Sequence, residues 1–340
     1  MNHKIEDFTL VQIIGKGRFS EVYLSKKNDS SKLWTIKKIN RNIVEEMKKY
    51  NYLEGNINNL QMLNHPKIVK YEKIIVIQTN YYIVMEYING GKLSDCLLQY
   101  KQKHQENFPE EIIQYLMKQI IEGVIYLHDN YIIHRDLRLD NIMVNFDSEN
   151  DKKDLNMLRA KIKIIDFGSS IQLSTNNILT NTLAGFPQYT DPKILESYIN
   201  HSNLKYGIES DIWSLGCICY ELLIGKPPFE GNNLSDIIIK AKNGQYTLSK
   251  SLLSKEIDSF LNSMLQYEEA NRLSARNLLQ KSFLTKNPFN CFYMKKNKED
   301  LSQVKNSLTI SEIISEWNKN KSGRSEERRV GKECRSRWSP

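Results

Sequence analysis

His134-Arg135-Asp136-Leu137-Arg138-Leu139-Asp140-Asn141 sets a carboxylate, Asp136, and an amide, Asn141, five residues apart on one short loop. Asp166-Phe167-Gly168 follows, with a second carboxylate beside a small residue. The set offers one group that can orient a hydroxyl nucleophile and two oxygen ligands for a hard divalent cation. Phosphoryl transfer from ATP needs groups of this kind, because it asks for positioning and charge neutralisation rather than covalent chemistry.

These residues need elements to hold them. Short β-like runs lie at 8–14, 21–26, 33–39, 68–77 and 81–87, with one helical stretch at about 43–63. From Glu110 the period becomes helical: Ile112, Ile113, Leu116, Ile120, Val124 and Leu127 recur at three- and four-residue steps, marking one buried face. Ile212 to Ile224 reads as a buried helix. Strands first and helices later, joined near 86–91, predict an α+β chain of two unequal lobes. The polar stretch 145–159 reads as a surface loop with no catalytic role. Residues 287–307 are Asn/Lys-rich, and 308–318 reads as a short amphipathic helix. No internal repeat is present.

At its catalytic loop and at Asp166-Phe167-Gly168 the chain closely resembles the eukaryotic protein kinases, whose signatures these are. The resemblance covers about residues 8–284 and implies the bilobal kinase fold. A β-rich N-lobe with helix C would span about 8–85, a hinge 86–91 and a mainly helical C-lobe 92–284, with a C-terminal extension at 285–323. Ile14-Gly15-Lys16-Gly17-Arg18-Phe19-Ser20 resembles the glycine-rich loop over the ATP phosphates, with Val22 roofing the adenine and Ser20 in place of the third glycine. Trp34-Thr35-Ile36-Lys37 stands in the family's V-A-I-K position. That implies Lys37 as the phosphate-binding lysine, and strand alternation sends its competitor Lys38 to the other face. Met85 stands as gatekeeper, and backbone groups of Glu86 and Ile88 are implied to bond the base. Lys92 falls where relatives often place an acidic ribose contact. The resemblance further implies Asp136 as base or orienter, Asn141 and Asp166 as Mg2+ ligands, and Arg138, in place of the usual lysine, stabilising phosphate charge.

Three further positions depart from the family pattern. Asn56 stands where helix C carries the glutamate that pairs with the lysine, and Glu54 lies about 200° around the helix from it. In Gly185-Phe186-Pro187-Gln188-Tyr189-Thr190-Asp191-Pro192-Lys193, Phe186 removes a hydroxyl that usually bridges the catalytic aspartate and lysine. Lys193 replaces the glutamate that usually pairs with a late arginine, here Arg272. Two cations would then face each other unless the segment docks differently or Asp191 partners Arg272. Arg135 beside Asp136 is typical of kinases switched by activation-loop phosphorylation, which implies an activating kinase acting on Thr180 or Thr182. Tyr189 and the preceding Gly-x-Pro favour Ser/Thr over Tyr substrates. Phe19-Ser20-Glu21-Val22-Tyr23 is similar to the NIMA-related group, and 85–93 to the Unc-51-like group.

The expectation is an ATP- and Mg2+-dependent kinase acting on Ser/Thr hydroxyls of proteins. Asn56, Phe186 and Lys193 leave a pseudokinase scaffold as the alternative. A small-molecule kinase is disfavoured by Asp211-Ile212-Trp213-Ser214, which supports a peptide-binding segment. Five scattered cysteines, at 96, 217, 219, 291 and 334, lack metal-ligand spacing. No apolar run approaches the ~20 residues of a membrane span, and the start lacks an apolar signal region. The expected setting is intracellular and cytoplasmic, with no nucleic-acid partner. Residues 324–340 (RSEERRVGKECRSRWSP) resemble the in-frame translation of a short-read sequencing adapter. With six Arg/Lys against three Glu they carry +3 of the total +8, so the basic balance says little about partners.

Overall fold

Alternating apolar positions in the first 86 residues become an antiparallel sheet. The computed structural model describes residues 4–17, 20–40, 63–78, 80–173, 180, 184–246 and 254–285. The strands are β1 (Lys4–Ile5), β2 (Phe8–Lys16), β3 (Ser20–Lys27), β4 (Leu33–Asn40), β5 (Tyr71–Ile77) and β6 (Asn80–Glu86), in the spatial order β1-β2-β3-β4-β6-β5. The short β1, pairing Lys4 with Thr9, is an edge that periodicity does not announce. The helix expected at 43–63 lies outside the described residues except for its end, where Leu63 is buried.

Strand register sorts the side chains onto two faces. Phe8, Leu10, Trp34, Ile36, Ile75 and Val84 form a small core of their own. On the opposite face Ile39, Tyr81 and Ile83 join the large core of the second lobe. Lys37 pairs in register with Val22 and Ile83, and Thr35 with Leu24 and Met85. These residues therefore share the face turned to the other lobe.

The second lobe is mainly helical. It is built of α1 (Leu93–His104), α2 (Glu110–Asp129), α3 (Glu149–Asp154), α4 (Pro192–Ile199), α5 (Glu209–Ile224), α6 (Leu234–Lys242), α7 (Lys255–Asn262), α8 (Ala275–Leu278) and α9 (Ser282–Thr285). Helix α2 buries the stripe its spacing announces, with Ile113, Leu116, Ile120, Val124 and Leu127 shielded from solvent. Helix α5 is buried nearly all round, including Cys217 and Cys219. These two and Cys96 are free, buried thiols. No helix among the described residues is long and apolar enough to cross a membrane.

Two pairs of short strands flank the segments that hold Asp136, Asn141 and Asp166. β7 (Ile132–Ile133) pairs with β10 (Ile171–Gln172), and β8 (Ile142–Asn145) with β9 (Lys161–Ile164). The stretch 145–159 is not the plain loop expected. Ser148 caps α3 by accepting the Asp151 N–H at 3.1 Å, and Met157 is buried in the core. The Ser148-x-x-Asp151 spacing is a capping signal that the polarity of the segment hid. The amphipathic helix expected at 308–318 and the adapter-like tail lie outside the described residues.

Candidate active site

The catalytic loop is held from below by one buried carboxylate. Asp211, in the first turn of α5, is fully buried. Its Oδ2 accepts the His134 N–H and lies 3.0 Å from His128 Nε2, and its Oδ1 accepts the Arg135 N–H, all at 3.0 Å. Burial pushes this carboxyl up, but the His128 bond and the neighbouring donors outweigh it and hold Asp211 below the usual range. Arg135 takes φ 65°, a left-handed conformation that these bonds sustain. Sequence reading placed Asp211 beside the buried helix, as support for a peptide-binding segment, and missed the clamp. A lone Asp among Ile212, Trp213 and Leu215 is the signal, since a buried charge needs partners.

Above the clamp the candidate groups converge. Asn141 Nδ2 donates to Asp136 Oδ2 and to the Asp136 carbonyl, both at 2.7 Å. Arg138 Nη1 donates to Asp140 Oδ2 at 2.9 Å, while its Nε stands 3.7 Å from Asp136 Oδ1. Burial raises the Asp136 carboxyl above its ordinary value, against the pull of His134, Arg138 and Asn141. The Ile165 N–H donates to the Asn141 carbonyl at 2.9 Å, which fastens the second carboxylate segment to the first.

Lys37 reaches across from the sheet and pairs with Asp166 Oδ1 at 2.8 Å. Its charge, ahead of the opposing burial effect, holds the Asp166 carboxyl below the usual range. Asp166 takes φ 60°, and its side chain accepts the Gly168 N–H at 3.4 Å. Phe167 turns inward between Tyr71 and His134, with ring centroids 6.3 Å and 4.9 Å away. This burial fixes which way Asp166 can point. Lys38 goes to the other face and meets Glu21 at 3.6 Å.

Over the cleft, Gly15 pairs with Val22 and Lys16 with Glu21, and the Gly17 N–H closes the turn onto the Ser20 carbonyl at 2.8 Å. Ile14 sits at a break in the β2–β3 register and is exposed. Arg18 and Phe19 lie outside the described residues. At the other end Met85 is half-buried, and the Ile88 side chain is buried in the core. Glu86 Oε1 binds Lys163 at 2.7 Å, and its N–H is given to the Lys70 carbonyl. Lys92 lies 3.2 Å from Asp140, on the rim of the catalytic loop.

The departures in the segment 185–193 resolve without a clash of cations. Asp191 pairs with Arg272, both side chains fully buried, and Arg272 also donates to the carbonyls of Gln266, Glu209 and Tyr267. Lys193 turns away to Glu268, at 2.5 Å. Of the outcomes weighed from sequence, the Asp191 pairing is the one observed. Gly185 has φ 92°, and a Cβ there would sit 2.3 Å from the Arg135 carbonyl. Only glycine lets this segment approach the catalytic loop so closely. Asn56 and Thr182 lie outside the described residues, while Thr180 is buried and pairs through its backbone with Tyr206.

Residues 8–284 match the family described as protein kinase domain, so the chain belongs to the protein kinases. It is 28% identical to serine/threonine-protein kinase PLK4 of Aedes aegypti, over 83% of this chain and 34% of that protein. It is 32% identical to calcium-dependent protein kinase 4 of Plasmodium berghei (strain Anka), over 82% and 49%. It is also 30% identical to serine/threonine-protein kinase Nek3 of Mus musculus, over 90% and 55%. The chain thus spans about a third to just over half the length of these relatives.

Proposed function

We propose that the chain is an ATP-dependent kinase that transfers the γ-phosphate to serine and threonine hydroxyls of proteins. The observation that carries this is the convergence of Lys37, Asp136, Asn141 and Asp166 on one cleft, with Asp136 and Asn141 joined at 2.7 Å and Lys37 and Asp166 at 2.8 Å. All four residues stand in hydrogen-bonded geometry, which favours catalysis over a pseudokinase scaffold. The three relatives' names, all kinases and two of them serine/threonine, support the same reading.

In this reading the substrate hydroxyl oxygen attacks the γ-phosphorus and the bond to the β–γ bridging oxygen breaks, releasing ADP. Asp136 takes the hydroxyl proton; its position beside Asn141 orients it for that task. Lys37 binds phosphate oxygens, and Arg138 faces the charge on the transferring group. Gly15 to Ser20 cover the phosphates, Val22 and Met85 flank the adenine, and the Glu86 carbonyl and Ile88 backbone meet its edge. Asp166 and Asn141 would hold Mg2+. With its amide nitrogen spent on Asp136, Asn141 has its oxygen left for a cation. No cluster of three or more His, Cys, Asp or Glu able to hold a metal occurs among the described residues. An ion held by the Asp166 and Asn141 side chains would keep waters and lean on substrate phosphates. When bound, it would neutralise phosphate charge.

An activating phosphate on Thr180 or Thr182 belongs to this reading. Thr180 is buried and backbone-bonded both ways to Tyr206, at 2.9 and 2.8 Å, so its hydroxyl must become exposed before it is modified. A cytoplasmic setting completes the proposal.

The test is transfer of labelled phosphate to a generic protein substrate with Mg2+. Asp136→Asn and Asp166→Asn are each expected to lose roughly a hundredfold or more of kcat while remaining folded. Substantial transfer by Asp136→Asn would refute the assignment. A wild-type chain without Mg2+-dependent turnover would favour the scaffold.

A further inference from the structure

Arg138 and Phe186 are both departures from the family pattern, and the structure brings them together. The Arg138 guanidinium carbon lies 5.2 Å from the centroid of the Phe186 ring. A guanidinium over an aromatic face at this distance is attracted by the ring quadrupole and keeps its in-plane N–H donors for other partners. Here Nη1 is taken by Asp140 at 2.9 Å. Nε is buried, has no hydrogen-bond partner among the described residues and stands 3.7 Å from Asp136 Oδ1. The ring thus lies against the guanidinium, whose Nε stands 3.7 Å from the Asp136 carboxylate.

The ring is itself presented from a fixed backbone. The Phe186 carbonyl accepts the N–H groups of Tyr189 and Thr190, at 2.9 and 3.1 Å, and the Thr190 hydroxyl at 3.0 Å. Gly185 presses against the Arg135 carbonyl immediately before it. Yet 46% of Phe186 is exposed, so it is not there to fill the core. Its exposure, its anchored backbone and its place over Arg138 point to one task.

We propose that Phe186 is a positioning residue for Arg138, and that the two act as a matched pair in which a cation–π contact replaces the hydroxyl–lysine tie of relatives. The pair sets the guanidinium beside Asp136, and neither member can be reverted alone without loss. This rests on the reading of the chain as an active kinase.

The experiment compares steady-state phosphotransfer of the full chain carrying Phe186→Leu, Phe186→Tyr, Phe186→Thr, Arg138→Lys, and the double change Phe186→Thr with Arg138→Lys. Leucine keeps apolar bulk without a π face. It is expected to lower kcat by roughly three- to tenfold, the scale of one cation–π contact, with KM for ATP little moved. Tyrosine keeps the ring and should lose far less. The double variant should exceed the activity expected from multiplying the two single losses. Nitrogen NMR of labelled arginine supplies a readout independent of turnover: the Arg138 Nε–H signal should be ring-shifted in the wild type and in Phe186→Tyr, and not in Phe186→Leu. Equal kcat in the leucine and tyrosine variants, or strictly multiplicative single losses, would overturn the proposal. A ring-shifted Arg138 signal in a wild type that transfers no phosphate would instead show that the contact exists and that the kinase reading is what failed.

Discussion

Asp136 and Asp166 are both partly exposed carboxylates in one cleft, yet their environments push them in opposite directions. Burial raises Asp136, while the Lys37 charge lowers Asp166. The proposed roles of proton acceptor and cation ligand would use that difference, since the first must release what it takes and the second must stay ionised. Asp136 accepts a proton only when ionised, so kcat/KM should fall as pH drops through its raised pKa. Arg138 is one of the charges opposing the rise. Arg138→Met removes it, so the acid limb of the pH profile should move to higher pH, whereas Arg138→Lys should leave the limb nearly in place. Profiles of the three proteins at fixed Mg2+ check this; an unmoved limb in Arg138→Met would mean that the charge does not reach Asp136. Asp136, Asn141, Asp166 and Lys37 were legible in the sequence, because fixed spacing in a short loop or strand carries them. The direction of each carboxylate's shift was not, because it depends on what the fold packs around them.

At the scale of elements, α5 and α4 hold the segments around the cleft through buried polar pairs. Asp191 caps α4 by accepting the Lys193 N–H at 2.9 Å, and also partners Arg272. Removing one member of a fully buried pair strands the other, so Asp191→Ala should cost about 3–5 kcal/mol in chemical denaturation. The Lys193–Glu268 pair is partly exposed, with Glu268 61% accessible. Lys193→Ala should therefore cost less than about 1 kcal/mol. Similar losses for the two would mean that Asp191 is not the anchor. Sequence alone offered Asp191 as one candidate among several. The decision needed the docking of α4 against the loop that carries Arg272. A related expectation concerns the helix expected at 43–63, where Asn56 replaces the usual glutamate. Lys37 has Asp166 as its charged partner. A second carboxylate, in Asn56→Glu, should draw Lys37 into the active arrangement and raise kcat several-fold, since charge-assisted bonds are roughly twice as strong as neutral ones. Side-by-side kinetics with equal or lower activity in the mutant would show that Asn56 is compensated.

Across the whole molecule, the cleft lies where the sheet face of Val22, Lys37 and Met85 meets the helical lobe. That face shares the large core, while the opposite face closes its own small one. One set of strands therefore both stabilises the small lobe and carries the side chains proposed to face the nucleotide. The last 17 residues carry six of the 48 basic side chains. If they are an adapter translation they contribute nothing to folding, and truncation after Gly323 should leave melting temperature and ATP affinity unchanged. A drop of several degrees by calorimetry would make the tail part of the protein. The polar stretch 145–159 shows the limit of composition as a guide. Its polarity suggested a loop, but Ser148 caps a short helix and Met157 buries its far end.

Strands β2 to β6, the buried helices α2 and α5 and the identities of the catalytic candidates could be read along the chain. Periodicity and motif spacing are local, and a residue's neighbours along the chain suffice to read them. Tertiary structure alone decided which charges meet. Asp191 finds Arg272 across 81 positions, the His134 N–H finds Asp211 across 77, and Arg138 settles on Phe186 rather than on a hydroxyl. Each of these contacts joins groups that water would otherwise solvate separately. The first two form because packing removes that water, so a buried carboxylate must find its donors within the protein.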